Sequence, residues 1–179
     1  LCQYGMGDVW KWGEEIGGNC WRTTGDITDT WTSMARGFDE ADHWPYAKPG
    51  HWNDPDMMVL GKVGWGRNLR ESRLTPDEDD THMRLWCLLC SPLLLGCPLE
   101  QLDEFTLSLL TNDEVLEVNQ DPLGQQARRI VQQDGREIWT KKMEDGSMSV
   151  GLFNRDDYSA QKITLKFSDV GFNGNCVVR

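Results

Sequence analysis

The chain has 179 residues and a formal net charge of −11, with 18 Lys and Arg against 29 Asp and Glu. That acid excess argues against a nucleic-acid partner, which needs basic patches to neutralise phosphates, and is compatible with a neutral ligand such as a sugar. No apolar run approaches the roughly 20 residues that a membrane-spanning helix requires.

The chain begins at Leu1 with neither an initiator methionine nor a signal peptide, and it stops at Cys176-Val177-Val178-Arg179 inside a strand-like run. It is therefore expected to be an internal piece of a longer protein, with its targeting undetermined. Leu1 to Tyr4 reads as the end of a strand broken by Gly5 and Gly7. A short helix or ordered loop fits Asp8 to Ile16, closed by Gly17-Gly18.

Trp21-Arg22-Thr23-Thr24-Gly25-Asp26-Ile27 reads as a strand. Alternation puts Arg22, Thr24 and Asp26 on one face, and a strand ending at Gly25-Asp26 delivers Asp26 to the rim of a sheet, where α/β enzymes keep their chemistry. The plainer alternative is an Arg–Asp pair closing a turn, with Asp26 as a helix cap. From Thr28 or Asp29 as cap, Trp31, Met34, Ala35 and Phe38 recur at helical spacing.

In His51-Trp52-Asn53-Asp54-Pro55-Asp56-Met57, the two aspartates flanking Pro55 share a face if the backbone is extended, as proline favours for its predecessor. Thr75-Pro76-Asp77-Glu78 is a capping box with proline at the first helical position, opening a helix that runs through Trp86 to the break at Pro92. The acids at its start suit the helix dipole better than a metal. Leu93-Leu94-Leu95 reads as a strand buried on both faces. Helical segments follow near Asp103–Leu110 and Asp113–Val118.

Beyond Leu123 the rhythm changes. Ala127–Gln133, Arg136–Met143, Ser147–Asn154 and Gln161–Phe167 are strand-like, with Asp134-Gly135 and Asp145-Gly146 as hairpin turns. The expected order is therefore consecutive βα units followed by an antiparallel module, with a boundary near Leu123–Gln126.

Six cysteines (Cys2, Cys20, Cys87, Cys90, Cys97 and Cys176) are too sparse for a disulfide scaffold. Cys87-x-x-Cys90 sits in a helical apolar stretch without a second thiol pair, so packing is a better reading than zinc. No cofactor is indicated. Eight of the nine tryptophans fall in the first half; flat rings with one polar handle suit stacking on sugar faces, while Trp31 and Trp86 are expected to fill core.

Together, Cys2-Gln3-Tyr4, Trp21 to Ile27, Pro49 to Met57, Ser91 to Leu94 and Val118 to Gly124 resemble, in order and spacing, glycoside hydrolase family 27, the α-galactosidases and α-N-acetylgalactosaminidases. The resemblance implies an α/β fold: a partial (β/α)8 TIM barrel (the last four strands, residues 1–123) followed by an antiparallel all-β domain begun by residues 124–179. Cys2–Gln3, Cys20–Gly25, Asp56–Leu60 and Leu93–Leu95 would be neighbouring parallel strands with Gln3, Asp26 and Asp56 at one edge. It further implies that Asp26 is the general acid/base, and that Gln3, Arg22, Asp56, Met57 and Trp52 bind the sugar. The Lys-x-Asp motif of the family's nucleophile is absent, so the isolated piece is expected to be inactive. A secreted, periplasmic or lysosomal setting is suggested by the resemblance alone. Oligomeric state and disulfide pairing are left open.

One departure is Gln3, where α-galactosidases typically carry a glutamate that binds a sugar hydroxyl. It opens the sugar to α-N-acetylgalactosaminides or β-L-arabinopyranosides. A retaining mechanism needs two carboxyl groups about 5–5.5 Å apart, one of them switching from acid to base. Asp26 must then hold its proton when substrate arrives, which an ionised nucleophile and nearby Trp and Met favour and Arg22 opposes. Arg22 is expected to reach past Asp26 to a sugar hydroxyl. A catalytically inactive sugar-binding barrel, or a structural α/β piece in which Arg22 and Asp26 merely pair, are the alternatives.

Overall fold

A computed structural model describes residues 1, 6–64, 68–156, 158–172 and 174–179. Cys2 and Gln3, the expected first strand and sugar ligand, lie outside the described residues. A short helix, α1 (Val9–Trp12), precedes strand β1 (Cys20–Arg22), helix α2 (Trp31–Met34) and a 3-10 helix over Ala35–Tyr46. Strand β2 (Trp52–Asp54) pairs with β1 in parallel, Cys20 beside Trp52 and Arg22 beside Asp54. On the other edge of β1, Leu1 O accepts from Arg22 N at 2.8 Å and Leu1 N donates to Cys20 O at 2.7 Å.

Two expected strands differ from those found. β1 ends at Arg22: Thr23 N makes the last ladder bond, to Asp54 O, and beyond it the Thr24 side chain rather than its backbone bonds the neighbouring segment, through Oγ1 to Pro55 O. The second strand lies at Trp52–Asp54 rather than Asp56–Leu60, because Asp56 takes φ +93°, which breaks extended structure. Met58 then makes one parallel bridge with Leu95. That bridge covers little, so Leu94 and Leu95 are 55% and 37% exposed instead of buried on both faces.

A small antiparallel pair, β3 (Lys62–Val63) and β4 (Arg70–Glu71), leads to helix α3 (Pro76–Leu88). Its capping box forms as expected: Thr75 Oγ1 accepts from Glu78 N, and Glu78 accepts from Thr75 N at 2.7 Å. Helices α4 (Glu104–Leu110) and α5 (Asp113–Asn119) are capped by Asp103 and Asn112. Helix α2 is capped by Thr30 and not by Thr28 or Asp29. Asp29 is instead claimed by Arg70 and Arg73, whose guanidinium groups reach its Oδ1 at 2.9 and 3.0 Å.

Strands β5 (Arg128–Gln133), β6 (Arg136–Lys142) and β7 (Met148–Asn154) form one antiparallel sheet. Asp134 and Gly135 both take positive φ (50° and 74°), as a two-residue hairpin turn demands. Gln161–Phe167 is not a strand: Ile163 and Leu165 are half-buried, while Lys162, Thr164, Lys166 and Phe167 are exposed. The two isoleucine and leucine side chains face Ile130, Val131 and Ile138 across a cleft.

The sheet and the helices share one core. Phe38 meets Trp139 and Phe153 edge-on, with ring centroids 6.2 and 5.1 Å apart, and Trp86, Leu85 and Leu88 are buried in the same cluster. Gly37 is required here, since a Cβ would lie 2.7 Å from Trp86 Cζ3. Across this junction the ammonium of buried Lys141 on β6 donates to Val118 O and lies 3.4 Å from Cys90 Sγ. Cys87 and Cys90 are buried thiols in this core, and burial pushes Cys87 up to about 12.

Candidate active site

The parallel pair β1–β2 sends both of its chains out at the same end, and there three charged side chains gather. Arg22 closes β1, and its Nη2 donates to Asp56 Oδ2 at 2.9 Å and to Asp26 Oδ1 at 3.4 Å. It also approaches Thr24 O at 3.3 Å. Its shorter contact is therefore with Asp56 and its longer one with Asp26. Arg22 Nε is buried and finds no hydrogen-bond partner among the described residues. Asp26 differs from its neighbours in exposure: its side chain is 69% exposed, against 10% for Asp56.

Asp56 is bound from every side. Its Oδ2 accepts from Ile27 N at 2.7 Å as well as from Arg22, and its Oδ1 accepts from Met57 N at 2.7 Å. Its own N–H donates to Asp54 Oδ1 at 2.9 Å, and its carbonyl accepts from the indole of Trp86 at 2.8 Å. This web holds the positive φ, a conformation that costs free energy for a residue with a side chain. Burial pushes Asp54 above the usual carboxylate range, against the Asp56 amide and Arg22, which act the other way. Cys20, 3.9 Å from Asp54 Oδ2, is pushed up to about 11 by burial and by that aspartate, so it stays a thiol.

Of the residues named from sequence, the structure therefore brings together Arg22, Asp26, Asp56 and, beside Asp56, Met57. The Met57 side chain packs on the core and closes against Gly96, where a Cβ would lie 2.8 Å from Met57 Sδ. Trp52 is not part of the cluster. It pairs with Cys20 at the far end of β2, and its ring lies against Gly124. Sequence reasoning missed two contributors, the amide of Ile27 and the indole of Trp86. A backbone donor and a core-like tryptophan leave no signature in residue spacing.

A family model described as alpha galactosidase A matches residues 12–121, and one described as the alpha galactosidase C-terminal beta sandwich domain matches residues 133–179. The chain belongs to this α-galactosidase family, whose fold is a TIM barrel followed by a β sandwich. Alpha-galactosidase 2 of Arabidopsis thaliana is 40% identical over 179 residues, covering 99% of this chain and 42% of that protein. The alpha-galactosidase of Oryza sativa is 38% identical, again over 99% of this chain and 40% of its own length. Among solved structures, a glycoside hydrolase family 27 β-L-arabinopyranosidase from Geobacillus stearothermophilus aligns with a TM-score of 0.79 at 34% identity, covering 92% of this chain and 38% of that one. The chain thus spans about two fifths of the length of the curated relatives it matches.

Proposed function

We propose that this chain is the part of a retaining glycosidase that carries the general acid/base, and that the longer protein cleaves terminal α-D-galactosides. The observation that carries this reading is the single guanidinium nitrogen of Arg22 lying between Asp26 and Asp56 at one end of a parallel strand pair. The names and coverage of the relatives supply the reaction class.

In this reading Asp26, exposed at the rim, protonates the leaving oxygen and then takes a proton from the attacking water. Arg22 is a sugar-binding residue held ready by Asp56, and Met57 lines the same wall. With three donors on its carboxylate, Asp56 is poorly placed to attack carbon. The nucleophile is assigned to the portion of the relatives that this chain does not match. Residues 1–123 would form the last four barrel strands with their helices and 124–179 would begin the β domain, a division that the two matched segments support. The isolated chain is then without hydrolase activity.

The likeness to an arabinopyranosidase, together with Gln3 in place of the family glutamate, favours a second substrate, a β-L-arabinopyranoside. This sugar matches the galactoside apart from its missing hydroxymethyl group.

The test is Asp26→Asn in the full-length protein. Turnover of an alkyl α-galactoside should fall about 10²–10⁴-fold, while an aryl substrate with a good leaving group should lose much less. An equal loss for both substrates would assign Asp26 to binding and overturn its acid role.

A further inference from the structure

Trp86 reads as a core residue, and it is one: fully buried on α3, with its ring 4.2 Å from the His82 ring and pressed against Gly37. Yet its one polar atom is spent on the candidate site. The indole N–H donates to the main-chain oxygen of Asp56, 30 residues earlier, at 2.8 Å.

That carbonyl belongs to a residue at φ +93°, which relaxes unless the surroundings hold it. Asp54 Oδ1 holds its N–H and Trp86 holds its C=O. Fixed between them, the Asp56 carboxylate faces three donors: Arg22 Nη2, Met57 N and Ile27 N. Ile27 directly follows Asp26 in the chain. Rotation of the peptide that Trp86 holds would therefore disturb both the arginine and the backbone that carries the candidate acid.

We propose that Trp86 is a positioning residue for the sugar site: its indole N–H fixes the Asp56 backbone and through it sets Arg22 and the Ile27 amide, without touching substrate. The functional half of this statement rests on the reading above that Arg22 binds sugar. The packing of Trp86 uses the carbon faces of the ring and the positioning uses the N–H alone, so the two roles can be separated.

The experiment replaces Trp86 in the full-length protein by benzothienylalanine, which has the shape of tryptophan with sulfur in place of N–H, and by Phe as a second variant. Amide hydrogen exchange is followed at Ile27 and Met57, with Leu89 and Ala127 as references because their amides donate to Leu85 O and Leu88 O on the helix that carries Trp86. KM and kcat are measured with an aryl α-galactoside. Ile27 and Met57 should exchange about tenfold faster while the references stay within about twofold, and KM should rise about tenfold at nearly constant kcat. Exchange that quickens equally at all these amides, unchanged protection at Ile27 and Met57, or a fall in kcat at constant KM would overturn the proposal. If the unsubstituted protein turned over no α-galactoside or β-L-arabinopyranoside, the functional reading would fall, and the exchange data alone would still decide whether Trp86 positions Asp56.

Discussion

Arg22 donates to Asp56 at 2.9 Å from one strand end to the next, and the same nitrogen stands 3.4 Å from Asp26. The shorter bond sets where the guanidinium lies. The pair is also well sheltered, with side chains 19% and 10% exposed, so salt screens it weakly.

Asp56→Asn tests that relationship. All three groups facing the carboxylate are donors, so an amide NH2 must oppose at least one of them, and the charge assistance to Arg22 is lost. In the full-length protein kcat/KM should fall about 10–100-fold, with most of the loss in KM. A variant with wild-type KM would show that Asp56 does not hold Arg22 for the sugar.

Asp29 supports the same region from outside the site. The Arg70 guanidinium, followed by the side chain and amide of Arg73, holds its carboxyl well below the usual carboxylate range. A lowered folded-state value means that this stability is fully present above the unfolded value near 4 and is lost as pH falls through the folded one. Asp29→Asn should therefore lower Tm by an amount that is constant from pH 7 to about pH 5. The gap to wild type should shrink as pH drops below about 4. A gap independent of pH down to pH 2 would show that the charge is not what stabilises.

What could be read in advance follows from how local each signal is. The capping box at Thr75 and the Asp134-Gly135 turn are complete within four residues and formed as expected. The strand expected at Asp56–Leu60 failed because a set of distant donors overrides the extended conformation at Asp56. Leu93–Leu95 failed because burial depends on how many strands flank a segment, which the run itself does not encode. That Arg22, Asp26 and Asp56 lie near one another was legible from alternation and the strand ends. The atom-by-atom order of their contacts, and the part played by Trp86, depend on α3 crossing behind Asp56. No residue pattern specifies that crossing.

Asp79, on the first turn of α3, is buried, and its Oδ1 has no hydrogen-bond partner among the described residues. Burial pushes its carboxyl up to about 7, and the negative charges of Glu78 and Asp103 add to the rise. For an acid with a raised folded-state value, the folded form holds the proton more tightly, so stability declines as pH climbs from about 4 to about 7 and is level above that. An asparagine mimics the protonated acid at every pH. Asp79→Asn should thus melt close to wild type at pH 4.5. At pH 8 it should melt several degrees higher. Melting curves of the pair across pH 4.5–8 decide the matter: a difference that stays flat or reverses sign would mean that Asp79 is ionised and partnered in the folded protein.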